Sequence, residues 1–329
     1  MITYSFANIG SDCLYTYLYK CIKNDILQDV LHAGEKLPSK RSLAKNLNIS
    51  IITVENAYAV EDPGYRKISQ IYKSHCISCN FVSMDDFGVW ISDLEKQKID
   101  VVHISPSHHF PTGTVMPISR RYELLGWAAK SDSRYIIEDD YDSEYRLNGQ
   151  PIPTLQSIDI QEKVIYMNTF TKTLASTIRI SYMVLPTHLV NTFYSKLYFY
   201  SCTVSNFEQY ILSRFISEGY FEKHMNRMRN YYHSKRDKLL QMIEKSPLAA
   251  YSTISEEDAE LHFLLKLKTE LPDKEFLQKL EQSGVKLFSL SQYYQSPPET
   301  VNHIFIINYS YVSEKNMEKA IEIIYRALI

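Results

Sequence analysis

Two apolar runs, each emptying into a cluster of reactive polar residues, constrain this chain more than any other feature. Tyr135-Ile136-Ile137 leads into Glu138-Asp139-Asp140-Tyr141, and Val164-Ile165-Tyr166-Met167 leads into Asn168-Thr169-Phe170-Thr171-Lys172-Thr173. Short β-branched and aromatic runs that end in polar residues read as buried strands. In an open α/β sheet, groups that follow such strands collect in one crevice beyond the carboxyl ends. The pair therefore predicts an α/β chain that brings a lysine amine and carboxylates together. A lysine after one strand is ordinarily a solvated surface residue, and acids after one strand ordinarily cap the next helix. Their joint occurrence points to a site.

The residue types match what pyridoxal phosphate requires: an amine for its aldehyde, a carboxylate for its pyridine nitrogen, and hydroxyls with a cation for its phosphate. Lys172 supplies the amine, and the nearby Arg179 discourages a second positive charge, which keeps that amine reactive. Asp139 holds the pyridinium proton, and Tyr141 reaches the ring oxygen. Thr169, Thr171 and Arg179 bracket the phosphate.

These segments resemble the aminotransferase-like domain of MocR-type regulators in the GntR superfamily. Other blocks agree with that resemblance: residues 105–117 with Arg120-Arg121-Tyr122, Ser201-Cys202-Thr203-Val204-Ser205, and Glu218 through Arg229. Together they cover most of residues 61–329. The implied fold class is α/β: an incomplete PLP-dependent fold-type I aminotransferase-like domain behind an N-terminal all-α helix-turn-helix, a truncated winged helix.

The N-terminal residues read independently as that second half. Leu14 through Ile22, with Ile26 and Leu27, carries apolar residues at helical spacing before Gly34, which predicts a first helix. Leu37-Pro38-Ser39-Lys40-Arg41 opens a Ser-capped helix, and Asn48-Ile49-Ser50 turns into another that runs through Val54 and Tyr58. Lys36, Lys40, Arg41 and Lys45 form a small cationic face suited to phosphate contact. The order resembles a GntR-type winged helix, whose second motif helix enters the major groove. The resemblance places Ser39, Arg41 and Thr53 near DNA. Ile51 and Ile52 stand where relatives present polar or basic residues, and apolar side chains can touch thymine methyls but cannot make bidentate base contacts.

At residues 53–67 two blocks that are far apart in the family stand side by side. The reading is an internal deletion after residue 60, giving 1–60 as a wingless helix-turn-helix domain and 61–329 as the aminotransferase-like domain. Within the latter, 61–185 is a partial large domain, and 186–329 is a helical connection with a small C-terminal domain. The absent part normally carries the phosphate loop, an aromatic ring stacked on the cofactor and part of the dimer interface. Nine glycines, with no glycine-rich turn opening a helix, agree with a lost phosphate cradle. Deleting strands exposes backbone edges and apolar faces, which invites association or instability.

Strands are expected at Val101–Ile104, Tyr182–Leu185, Leu261–Leu265 and His303–Asn308, and helices over 189–200, 207–218, 221–245 and 273–282. The net charge of −2 leaves any DNA contact to a local patch. No apolar run reaches membrane-spanning length, the start lacks a secretory pattern, and five scattered cysteines suit free thiols, so a cytoplasmic location without membrane contact is expected. Cys76-Ile77-Ser78-Cys79 lacks a second ligand pair, and metal binding is not expected.

The resulting expectation is a DNA-binding transcriptional regulator with a PLP-binding sensor domain, a small amine or amino-acid effector, and homodimerisation where the interface survives. The alternative is a PLP-dependent aminotransferase acting on an amino acid or amine. Against it, the position where such enzymes place a carboxylate-binding arginine, near Ile306, is apolar. His108-His109 is read as structural or cofactor-adjacent rather than catalytic by itself.

Overall fold

The computed structural model describes residues 4, 14–32, 57–75, 77–145, 152–255 and 261–329. Helix α1 (Leu14–Leu27) is the predicted first helix. The two helices expected between Ser39 and Tyr58, with Ser39, Arg41 and Thr53, lie outside the described residues except at their very end. There the structure differs from expectation: Tyr58 opens a strand, β1 (Tyr58–Asp62), so the expected boundary after residue 60 falls inside a sheet strand. Ala59 and Val60 are buried, and that tertiary burial decides their conformation over the local helical pattern.

The chain continues through α2 (Arg66–Ser74), β2 (Cys79–Asp85), β3 (Gly88–Val89), α3 (Ile91–Lys96), β4 (Val101–Ile104), α4 (Ile118–Ala129) and β5 (Tyr135–Asp140). After α5 (Leu155–Ile158) come β6 (Val164–Thr169), α6 (Phe170–Thr173) and β7 (Ser181–Val184). These strands form one sheet in the order β3-β2-β1-β4-β5-β6-β7. β1, β2, β4, β5 and β6 are parallel, while β3 and β7 close the two ends antiparallel. All of β4 is buried, as a central parallel strand covered on both faces requires. Against the sheet α4 packs Leu124, Trp127 and Ala128, each essentially inaccessible to solvent.

Strand β5 runs through the acids, whereas the sequence suggests that they follow it. Glu138 and Asp140 tolerate strand positions because each finds buried partners, described below.

Beyond β7 come α7 (Thr187–Leu197), α8 (Asn206–Ser217) and α9 (Tyr220–Lys245). Ser205 caps α8 in a reciprocal capping box with Glu208. A second body follows, containing β8 (Ser252–Ser255), β9 (His262–Leu267), α10 (Asp273–Gln282), β10 (Phe288–Ser289), β11 (Ile304–Asn308) and α11 (Glu314–Leu328). Its antiparallel sheet has the order β10-β11-β9-β8. Met317, Ile321 and Ile324 recur at helical spacing on α11 and join Phe263, Phe276 and Phe305 in one core. Burying each such side chain contributes about 1.5–3 kcal/mol.

Among the described residues, one flank of the first sheet carries no covering element. All four residues of β7 are exposed, and every residue of α7 and α8 is at least partly exposed, although both helices carry many aromatic residues.

Candidate functional site

Three consecutive carboxylates at the end of β5 have different fates because strand side chains alternate between faces. Glu138 is fully buried and accepts the amides of Leu155 and Gln156, both at 2.9 Å, which fixes the start of α5. Its carboxylate lies 3.6 Å from Arg121 Nη1, and burial nevertheless pushes its pKa up to about 7. Asp140 accepts the hydroxyls of Ser143 (2.8 Å) and Tyr166 (2.9 Å). Burial raises its pKa as well, against the lowering effect of those hydroxyls. Asp139 alone keeps a substantially exposed carboxylate, with 28% of its side chain accessible.

Asp139 is backed by a group that the sequence reading did not single out. His103, from the neighbouring β4, brings Nε2 to 3.5 Å from Asp139 Oδ2, and its Nδ1 lies 3.0 Å from the Tyr72 hydroxyl. The available signal was a lone imidazole inside the otherwise apolar Val101–Ile104. Glu61 and His109 form a second buried pair close by, 3.4 Å apart. Burial pushes Glu61 up to about 8, and the charge of Asp139 adds to that rise. Burial likewise holds His109 down at about 3, assisted by His108. The pair is thus neutral on both sides.

Lys172 sits in α6, a single turn that begins where β6 ends. Thr169 caps this turn by accepting the Thr171 amide. The main chain is clamped from outside: the Tyr145 hydroxyl donates to the Lys172 carbonyl at 2.8 Å, and His224 Nε2 lies 3.0 Å from the Thr173 carbonyl. Lys172 Nζ lies 5.8 Å from the centroid of the Tyr311 ring, which comes from the turn after β11. The Thr169 and Thr171 hydroxyls reach the carbonyls of Ile180 and Ile178, at 3.2 and 3.1 Å. They therefore close the 174–180 loop, on which Arg179 is exposed.

Tyr141 completes the assembly. Its hydroxyl lies 3.3 Å from His108 Nδ1, which is 3.0 Å from Asp142 Oδ1. The His108 ring packs 5.1 Å from that of His262 on β9, so the second body contributes to the same cluster. Burial holds His262 down at about 3; the charge of Lys172 acts in the same direction. His108 and His109 are accordingly buried supports, in line with the structural reading of that pair. Ile306 is buried with Leu264, Leu290 and Val301, and offers no cation there. No group of three or more potential metal ligands occurs among the described residues.

A mostly parallel sheet with a lysine one turn beyond one strand and a partly exposed carboxylate on the next strand defines an aminotransferase-like fold. Residues 53–324 match the family of class I and II aminotransferases, and the chain belongs to that family. Residues 14–59 match the gntR family of bacterial regulatory proteins, and the two matches overlap, with nothing between them. The HTH-type transcriptional regulator YdeL of Bacillus subtilis is 38% identical over 262 residues, which is 80% of this chain and 56% of that protein. The probable rhizopine catabolism regulatory protein MocR of Rhizobium meliloti is 32% identical over 263 residues, 80% of this chain and 52% of its own length. The chain thus spans about half the length of the curated relatives it matches. The crystal structure of Pyrococcus horikoshii kynurenine aminotransferase superposes with a TM-score of 0.71 at 24% identity, covering 95% of this chain and 86% of that one, a likeness of fold.

Proposed function

We propose that this chain is a DNA-binding transcriptional regulator in which an aminotransferase-like domain holds pyridoxal phosphate as part of a sensor. The observation that carries the reading is a gntR-family match running directly into an aminotransferase match, within whose span Lys172 and Asp139 lie. Relatives named as HTH-type regulators support it. Among the described residues no helix is long and apolar enough to cross a membrane. A DNA target gives the protein a cytoplasmic setting, and a homodimer would present two DNA-binding heads with Ser39, Arg41 and Thr53 toward the duplex.

The residues present fit the cofactor ring better than its phosphate. When bound, the cofactor supplies an aldehyde and an electron-accepting ring. Asp139 would hold the proton on the ring nitrogen, with His103 and Tyr72 fixing the carboxylate from behind. Tyr141 would meet the ring oxygen in an orientation set by His108, and Lys172 would offer its amine. Thr169, Thr171 and Arg179 would face the phosphate, but both hydroxyls must first leave their loop carbonyls. Weak retention is therefore expected. A small amine or amino acid is the effector class that such a site would sense.

Incubation with pyridoxal phosphate, borohydride reduction and peptide mass mapping tests the sensor. The expected label is on the peptide containing Lys172 and is lost in Lys172→Ala; labelling elsewhere, or nowhere, removes the sensor reading. The competing reading, a working transaminase, is disfavoured by the buried Ile306. Sustained turnover of amino-acid and keto-acid pairs, abolished by Lys172→Ala, would establish it instead.

A further inference from the structure

One stripe of α9 carries cations that the fold leaves without acids. Arg227, Tyr231, Lys235 and Lys238 recur at helical spacing, which puts them within an arc of about 80° on the helix. Beside this stripe runs the turn after β11, residues 310–314, and the two line a groove of about 670 Å³.

Lys235 is the informative member. It is 8% exposed, yet among the described residues its ammonium meets no carboxylate. One of its three N–H donors goes to the Ser310 carbonyl at 2.8 Å, and the centroid of the Tyr231 ring lies 5.5 Å away. The acids beside it are engaged elsewhere: Asp237 with His233 and Arg236, and Glu314 with Lys238 at 2.7 Å. Burying an ammonium is costly unless an anion accompanies it. Arg227 adds a second uncompensated cation, since its guanidinium reaches His224 Nδ1 at 3.3 Å and, among the described residues, no carboxylate. Three cations and one carboxylate thus line the groove, and Lys238 offsets that carboxylate. Two positive charges remain.

Their separation selects the shape of a matching anion. Arg227 and Lys235 are eight residues apart in the sequence, about 12 Å along the axis at ~1.5 Å per residue. Two carboxylates joined by a short methylene chain can meet both cations where they stand, whereas a phosphate requires both tips to converge on one point. Tyr231, midway along the stripe and 52% exposed, offers the methylenes an apolar wall.

We propose that this groove binds a short α,ω-dicarboxylate, with one carboxylate on Lys235 and the other on Arg227. Tyr311 also lines the groove, and its ring centroid lies 5.8 Å from Lys172 Nζ, so the ligand shares a neighbour with that lysine. This inference rests on neither the cofactor nor the DNA reading.

Isothermal titration calorimetry of the full chain with glutarate, at low ionic strength to limit screening, tests it. Saturable binding of one glutarate per chain is expected, with inorganic phosphate at least tenfold weaker. Lys235→Met keeps an unbranched stem and removes the buried charge, and Arg227→Gln alters an exposed side chain. Each should weaken glutarate at least tenfold, whereas Lys245→Gln, an exposed cation outside the groove, should leave its affinity unchanged. Glutarate should also raise the thermal midpoint of the wild type and of Lys245→Gln, but not that of Lys235→Met. If Lys235→Met fails to fold by far-UV circular dichroism, Arg227→Gln decides. No binding, equal affinity for phosphate, an affinity indifferent to Arg227→Gln or to folded Lys235→Met, or an equal loss in Lys245→Gln would each overturn the proposal.

Discussion

Replacing Glu61 with glutamine should stabilise the protein increasingly as the pH rises. The carboxyl lies at the end of β1, 7% exposed, with Oε2 accepting the Ser105 amide at 3.1 Å. Burial moves its pKa from an ordinary 4.5 to about 8, because a single amide donor and a neutral imidazole do not replace lost hydration. The folded state therefore keeps a proton that the unfolded chain releases above pH 4.5. The associated stability is fully present below that pH, declines as the pH rises, and levels off only above about pH 8. The full shift corresponds to about 5 kcal/mol at ~1.36 kcal/mol per unit. Between pH 5.5 and pH 8 the wild type should lose about 3 kcal/mol through this group. Glu61→Gln retains an acceptor for Ser105 and does not titrate. Urea denaturation across that range, followed by fluorescence of the buried Trp127, should give wild-type and variant stabilities that diverge by about that amount. Parallel curves would refute the assignment of a protonated Glu61.

Three further outcomes are expected. His262, held at about 3, is neutral when folded and protonates near 6.5 when unfolded, so its contribution is lost as the pH falls below 6.5. His262→Asn should reduce the stability loss between pH 7 and pH 5 by about 2 kcal/mol in the same denaturation assay. Phe276→Ala, deep in the second core, should cost about 3–5 kcal/mol by urea titration. The adjacent acids should separate: Asp139→Asn should leave the thermal midpoint nearly unchanged and cut cofactor labelling of Lys172 at least tenfold. Glu138→Ala should instead destabilise by about 3–5 kcal/mol, because it leaves the buried charge of Arg121 uncompensated and takes the acceptor from the amides of Leu155 and Gln156.

The helix over 273–282 and the strands at 101–104 and 164–167, the latter running on to Thr169 in the structure, were legible because local pattern and tertiary burial agree there. β1 was not. Thr53 to Tyr58 carries a helical pattern, and only pairing with β2 and β4 selects the strand from Tyr58 onward. The acids looked like residues beyond a strand because free carboxylates disfavour one; partners from residues 143–166 reverse that cost for Glu138 and Asp140. Lys172, Asp139 and Tyr141 were readable by type and order as the candidate cofactor site proposed above. Their supports were not, since His103, Tyr72 and Tyr311 come from separate elements and meet the site only through the fold.

Helix α9 carries a mechanical consequence. Its 26 residues make a rod of about 39 Å at ~1.5 Å per residue. Near one end His224 holds the carbonyl beside Lys172; toward the other, Leu239 and Ile243 are embedded in the second core. Lys172 and the small antiparallel sheet thus share one beam. A tilt of about 5° at the site sweeps the far end through roughly 3 Å over that length. On the proposed sensor reading, occupancy at Lys172 would be converted in this way to displacement of an entire body, with no loop needed to carry the signal.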